Sequence, residues 1–228
     1  MACATGANVA DEELGLVDVG GDLSVETLLS AYSKGIFPWP QPGYPLLWFS
    51  PTKRGVIDFS ELHISKSLKK ELRASDLSGH KITFDGAFDE VIAACASVPR
   101  SHETGTWILP EMVDAYIAFH DAGYAHCVEL RDAGGALVGG MYGVFVRGVF
   151  SGESMFFRRD NASKICLLAM IERLRSAGVS WIDTQMVTPV VEQLGGKYIS
   201  RDVFLERLRL SDAKISVDWR SPWAGFSL

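Results

Sequence analysis

An α+β fold, a sheet carrying helices rather than a doubly wound parallel sheet, is what these 228 residues predict. Three observations lead there. Residues 125–156, "AHCVELRDAGGALVGGMYGVFVRGVFSGESMF", alternate with period two between turn signals and read as a three-stranded meander. A long helical pattern, a mostly apolar strand and two further helices follow it in that order. Ahead of it lie several amphipathic helical patterns and a proline-rich, aromatic segment.

Taken in order, about the first 14 residues are small, polar and acidic and are expected to fray. "SVETLLSAYSKG" reads as a helix, with Ser24 as N-cap, Leu28, Leu29 and Tyr32 as its apolar face and Gly35 as its stop. "IFPWPQPGYPLLWFSP" has five prolines and five aromatics in sixteen residues. Prolines this dense forbid a helix, and the aromatics require packing. It is expected to be a buried, stiff or short-stranded segment and a pocket wall. "ISKSLKKELRAS" is a two-faced helix: Ile64, Leu68 and Leu72 on one side, Lys66, Lys69, Lys70 and Arg73 on the other. Asp85 is expected to cap a helix carrying Phe88, Val91, Ile92 and Cys95. Pro110 suits the first turn of another, with Met112, Tyr116 and Phe119 inward. In the meander, Asp132–Gly135 and Arg147-Gly148 make the turns. "NASKICLLAMIERLRSAG" is a long helix capped by Asn161 and stopped by Gly178. "VSWIDTQMV" is a central strand, "TPVVEQLGG" a short helix, and "SRDVFLERLRL" the last one.

Composition excludes several classes. With 47% hydrophobic and 22% charged residues the chain is globular, not disordered. No run reaches the roughly 20 apolar residues of a membrane span, and no basic-then-apolar leader opens the chain. A cytoplasmic location is expected. Four cysteines without a CxxC pair read as reduced thiols. Five histidines show no HExxH or HxxxH spacing, so no metal site is indicated. The net charge of −6 argues against sequence-indifferent nucleic-acid binding but leaves room for a local basic patch. "GGALVGGMYG" lacks the context of a phosphate loop, so no nucleotide cofactor is expected.

Three features invite chemistry, each with a bland alternative. Glu153 stands among Phe150, Met155, Phe156 and Phe157, where a carboxylate needs a partner unless its strand simply turns it outward. Asp183 and Gln185, two apart in an apolar strand, share a face and need partners or a cavity. The cationic face of Lys66, Lys69, Lys70 and Arg73 suits phosphates, or is a solvated helix face.

The segments "GGDLSVETLLSAYSKGIFPW", "WFSPTKRGVI", "TWI", "AHCVE", "LVGGMYGV", "FSGESMFFRRDNASK" and "IDTQ" together resemble the bacterial leucyl/phenylalanyl-tRNA–protein transferases, from about Gly15 to Leu208. The resemblance implies a small N-terminal domain, residues 1–61, and a larger domain, 62–228, like the GNAT N-acyltransferases. It implies transfer of Leu or Phe, with Met a third candidate, from aminoacyl-tRNA to the α-amine of proteins beginning with Lys or Arg, creating an N-degron. It implies Asp183, Gln185 and Glu153 as catalytic residues. Trp48, Trp107, Met141, Phe150 and Met155 would receive the amino-acid side chain and the 3′ adenosine. Lys66, Lys69, Lys70 and Arg73 would bind the tRNA, with Lys53-Arg54 and Arg158-Arg159 as the next cationic clusters. The aminoacyl ester is already activated, so no cofactor and no metal are called for. Asp183 is expected to bond the Gln185 amide nitrogen or a water, and so either to polarise the Gln185 oxygen toward the attacking amine or to take the proton, with the final acceptor left open; Glu153 is expected to face the cation of the acceptor. The chain departs from the family pattern at Val190, where a histidine is usual, and at Gln193, where a serine is usual. Two other classes stay open: a GNAT-like acyl-CoA N-acyltransferase, whose pyrophosphate-loop pattern is missing here, and a non-catalytic RNA-binding or adaptor protein, which would not need Asp183 and Gln185.

Overall fold

The computed structural model describes residues 15–41, 43–73, 79–97 and 108–226. The N-terminal stretch expected to fray and Trp107 lie outside the described residues.

A small antiparallel sheet comes first, in the order β1-β3-β2, from β1 (Leu16–Val19), β2 (Phe37–Pro38) and β3 (Leu47–Phe49). Between β1 and β2 runs α1 (Val25–Tyr32). Ser24 caps it by accepting the Thr27 N–H at 3.3 Å. The proline-rich segment supplies β2 and β3, too short for prolines to interrupt a ladder.

A seven-stranded sheet follows, ordered β10-β4-β9-β8-β7-β6-β5. Its strands are β4 (Lys53–Asp58), β5 (Lys81–Phe84), β6 (Ala125–Arg131), β7 (Leu137–Val146), β8 (Val149–Phe157), β9 (Trp181–Gln185) and β10 (Lys197–Ser200). All neighbours are antiparallel except β8 and β9. The helices are α2 (Lys66–Arg73), α3 (Phe88–Ser97), α4 (Pro110–Asp121), α5 (Ala162–Ser176), α6 (Pro189–Gln193) and α7 (Arg201–Leu210). This is the expected α+β order, with the meander as β6, β7 and β8. Its second turn is tight because Arg147 and Gly148 both adopt positive φ, 55° and 75°.

Strands β4, β5 and β10 were not legible in advance. Each begins with a lysine, which masks the alternation. The large sheet therefore begins at Lys53, ahead of the division expected after residue 61. Val56 and Ile57, fully buried on opposite faces of β4, hold it there.

Two expected caps are made differently. Asp85 has φ 52°, which turns its carboxylate onto β6, where it accepts the Cys127 N–H at 2.8 Å. The leading N–H of α3, that of Ala87, donates instead to Glu129 of β6 at 2.6 Å. Asn161, with φ 62°, makes no capping bond to α5, and its amide donates to Glu71 on α2 at 2.8 Å. Gly178 does stop α5.

The sheet is covered on both faces. Helix α5 packs on one with Ile165, Leu168 and Ile171. Helices α3 and α4 pack on the other with Val91, Ile92, Met112 and Phe119. Gly139 lets α5 approach β7: a Cβ there would stand 2.6 Å from that of Ala162.

Candidate active site

The parallel pairing of β8 and β9 spans only Phe150↔Ile182 and Ser151↔Asp183. Beyond it each strand carries an extra residue. Against β7, Gly152 faces Gly143 and Ser154 faces Tyr142, which leaves Glu153 bulged. Against β4, Asp183 faces Val56 and Gln185 faces Gly55, which leaves Thr184 bulged. A bulge bends its strand and re-aims a side chain. The two strands part, and a cavity of about 550 Å³ opens between them. Its wall is mostly apolar: Phe37 and Trp39 from the proline-rich segment, Met141, Met155, Phe156, Leu167 and Ile182. Glu153 and Gln185 supply charge and polarity at its side.

Asp183 is fully buried. Its Oδ1 accepts from Arg54 Nε at 2.8 Å and from the Gln185 backbone N–H at 2.9 Å. Its Oδ2 accepts from Arg54 Nη2 at 2.7 Å and Ser151 Oγ at 2.9 Å. The Arg54 guanidinium lies between the rings of Phe37 and Phe204, 4.7 and 4.4 Å from their centroids, and donates to the Gly35 carbonyl at 3.1 Å. A bidentate, charge-assisted pair of this kind is strong and geometrically exact in what it orients. What it orients is the end of β9, where Gln185 takes φ 59°. A non-glycine residue held there is strained, by on the order of 1–3 kcal/mol, and persists only when its surroundings fix it. Gly55 opposite makes room, since a Cβ would meet the Met186 carbonyl carbon at 2.6 Å.

So Asp183 holds the main chain of Gln185, not its side-chain amide. That amide donates through Nε2 to Glu153 Oε1 at 2.7 Å. The Gln185 side chain lies on the cavity wall. Glu153 Oε2 accepts from the Tyr116 hydroxyl at 3.4 Å, and Tyr116 in turn bonds Tyr32. Burial pushes the Glu153 carboxyl up to about 8, with the Asp183 charge adding to the rise, while bonds from Tyr32 and Gln185 and the Arg54 charge oppose it. Burial, then the Glu153 charge, raises both tyrosines well above their ordinary range.

Of the residues singled out in the sequence, Glu153, Gln185, Met141 and Met155 meet at the cavity. Trp48 and Phe150 are not on its wall. The Trp48 ring is buried in the core beside the small sheet, its indole N–H donating to the Gly20 carbonyl at 2.9 Å. Phe150 is core on the α5 side, its ring 6.3 Å from that of Trp219. Phe37 and Trp39 occupy the place expected for such aromatics, as alternation through a proline-broken segment could not tell which would face inward. Val190, the departure from the family pattern, lies on the wall too, and Gln193 accepts from Lys164 at 2.9 Å. Lys66, Lys69, Lys70 and Arg73 are all exposed on α2. Arg54, counted in the sequence with a cationic cluster, is instead 1% exposed and committed to Asp183.

A family described as "Leucyl/phenylalanyl-tRNA protein transferase" matches residues 56–209, and its N-terminal domain matches residues 21–52. The chain belongs to this family. The two matches are separated only by the first residues of β4, and the one over residues 56–209 carries every polar residue of the cavity. A relative from Stutzerimonas stutzeri, named leucyl/phenylalanyl-tRNA–protein transferase, is 47% identical over 92% of this chain and 91% of its own. One of the same name from Chromobacterium violaceum is 50% identical over 86% of this chain and 82% of its own. Among solved structures, that of L-PGS from Bacillus licheniformis is similar with a TM-score of 0.44 at 13% identity, over 77% of this chain and 66% of that one. A GCN5-related N-acetyltransferase from Kribbella flavida gives 0.38 at 11%, over 73% and 57%. The chain is thus a transferase of this family. No helix among the described residues is long and apolar enough to cross a membrane.

Proposed function

We propose that this chain transfers Leu or Phe from aminoacyl-tRNA to the α-amine of proteins that begin with Lys or Arg, in the cytoplasm, and so marks them for degradation. The observation that carries the reading is an apolar cavity with the Glu153–Gln185 pair at its side. An aminoacyl ester needs no further activation, so the enzyme must supply a neutral amine, held in line, and stabilise the oxyanion. The apolar wall receives the amino-acid side chain and places its ester beside Gln185. The Gln185 amide oxygen accepts one hydrogen bond from the attacking amine and aims its lone pair. Glu153, ionised, takes the proton from the nitrogen as the N–C bond forms, and passes it to the ribose oxygen of the tRNA, which leaves as a hydroxyl when the ester C–O bond breaks. An α-amine titrates at about 7.7–8.0, so a carboxyl raised to about 8 exchanges that proton nearly without cost. Asp183 and Arg54 touch neither substrate and are positioning residues. Glu153 thereby addresses the α-amine rather than the side-chain cation of the acceptor.

The test is transfer of radiolabelled Leu from Leu-tRNA to an Arg-starting peptide, with acetyl-CoA as rival donor. RNase-sensitive labelling of the Arg peptide and not of an Ala-starting one is expected. Acetylation in its place would overturn the reading in favour of a CoA-dependent enzyme.

The tRNA body meets the exposed face of α2. Changing Lys66, Lys69 and Lys70 together to Ala is expected to weaken tRNA binding and to flatten log K against log salt by roughly 0.7–0.9 per lost contact. Turnover at saturating tRNA should hold, because α2 does not line the cavity. Wild-type affinity and slope in the triple variant would return α2 to a solvated face.

A further inference from the structure

We infer that Asp85, His120 and His126 form a binding site for a first-row divalent cation with a preference for imidazole, zinc above all. The site is separate from the active-site cavity, whose wall includes none of the three. They come from three elements: Asp85 from the turn between β5 and α3, His120 from the last turn of α4, and His126 from β6. One donor atom from each lies within 4.8 Å of the others. Donors about 2.0–2.1 Å from a tetrahedral zinc stand roughly 3.4 Å apart, so modest side-chain shifts close the set, with water as fourth ligand.

His120 Nδ1 meets the Ala125 carbonyl at 2.7 Å, which leaves its Nε2 for the ion. His126 Nδ1 meets Asp85 Oδ2 at 2.7 Å, so these two donor atoms already face each other, and the ion takes the place of the proton between them. Asp85 is fixed in turn through Oδ1 by the Cys127 N–H. Both rings are also clamped by stacking: His120 on Phe88 at 4.3 Å and 3°, His126 on Trp219 at 4.0 Å and 13°. Ligands immobilised beforehand lose little freedom on binding. Two imidazoles and one carboxylate select zinc, cobalt or nickel over magnesium or calcium, which prefer oxygen. Because the ligands come from separate elements, no HxxxH spacing announces them.

A bound ion ties the β5–α3 turn, α4 and β6 together next to Trp219 of the C-terminal segment. Zinc chloride titrated into the purified chain by calorimetry is expected to bind one equivalent and to raise Tm with its concentration. Asp85→Asn and His120→Gln, each checked for native circular dichroism, are expected to lose at least tenfold in affinity. Copper(II) or nickel(II) chloride should quench Trp fluorescence in parallel, and Trp219→Phe should remove most of that quenching. Cobalt(II) chloride separates the site from the thiols, since only a thiolate gives the intense charge-transfer band. Sub-stoichiometric zinc binding, unchanged affinity in both variants, or a cobalt spectrum dominated by thiolate would each overturn the site.

Discussion

Arg54→Met is expected to lower stability by about 3–5 kcal/mol, the usual result of stripping one partner from a buried ion pair. For a chain of this length that is a fall in Tm of roughly 6–20 °C. The reason lies in what remains. Asp183 would keep one hydroxyl and one backbone N–H, with no cation and no access to water. The Phe37 and Phe204 rings would lose the guanidinium between them as well. The double change Arg54→Met with Asp183→Leu removes both charges and is expected to recover most of the stability, since apolar replacements of buried pairs are often neutral. It should not recover transfer, because the Gln185 N–H then has no acceptor and the strained turn at φ 59° is no longer held. That split between stability and rate is the signature of a positioning pair. Thermal unfolding and single-turnover transfer on the wild type and the two variants measure it. Wild-type Tm in Arg54→Met, or wild-type rates in the double variant, would remove the pair from this role.

Much of this arrangement was legible in the sequence, and the limits are physical. Period-two alternation and glycine turns located the meander, and the i, i+2 spacing of Asp183 and Gln185 marked an inner strand with polar needs. What alternation cannot show is a bulge. One extra residue at Glu153 and one at Thr184 decide which side chains meet and open the cavity between β8 and β9. Pairing across the chain is equally silent: Arg54 lies 129 positions from Asp183, and beside Lys53 it reads as a surface cation. Its burial follows from β4 pairing between β10 and β9 in the large sheet, which a lysine-led segment does not advertise. Tyr32 and Tyr116, read as apolar faces of α1 and α4, likewise place their hydroxyls together behind Glu153.

Glu153→Gln is expected to lower single-turnover transfer by between about 10² and 10⁴, the range that a positioned proton acceptor contributes. Gln preserves shape and can still receive the Gln185 amide bond, so aminoacyl-tRNA affinity should change little. Wild-type rates should climb steeply as pH rises through about 8, with Glu153 and the substrate amine losing protons together. In the variant only the titration of the amine, at about 7.7–8.0, remains, and the climb becomes shallower. Stability supplies an independent readout with a fixed sign. The carboxyl is raised from 4.5 to about 8 in the folded chain, so between those values the folded state holds a proton that the unfolded state has released. Stability from this group is complete below about 4.5 and is lost as pH rises through about 8, a decline on the order of a few kcal/mol. Glu153→Gln cannot ionise and should lack that decline, so the variant gains on the wild type with rising pH. Urea unfolding at pH 5, 7 and 9 measures it. Parallel stability curves together with transfer within threefold of wild type would leave Glu153 neither buried base nor proton acceptor.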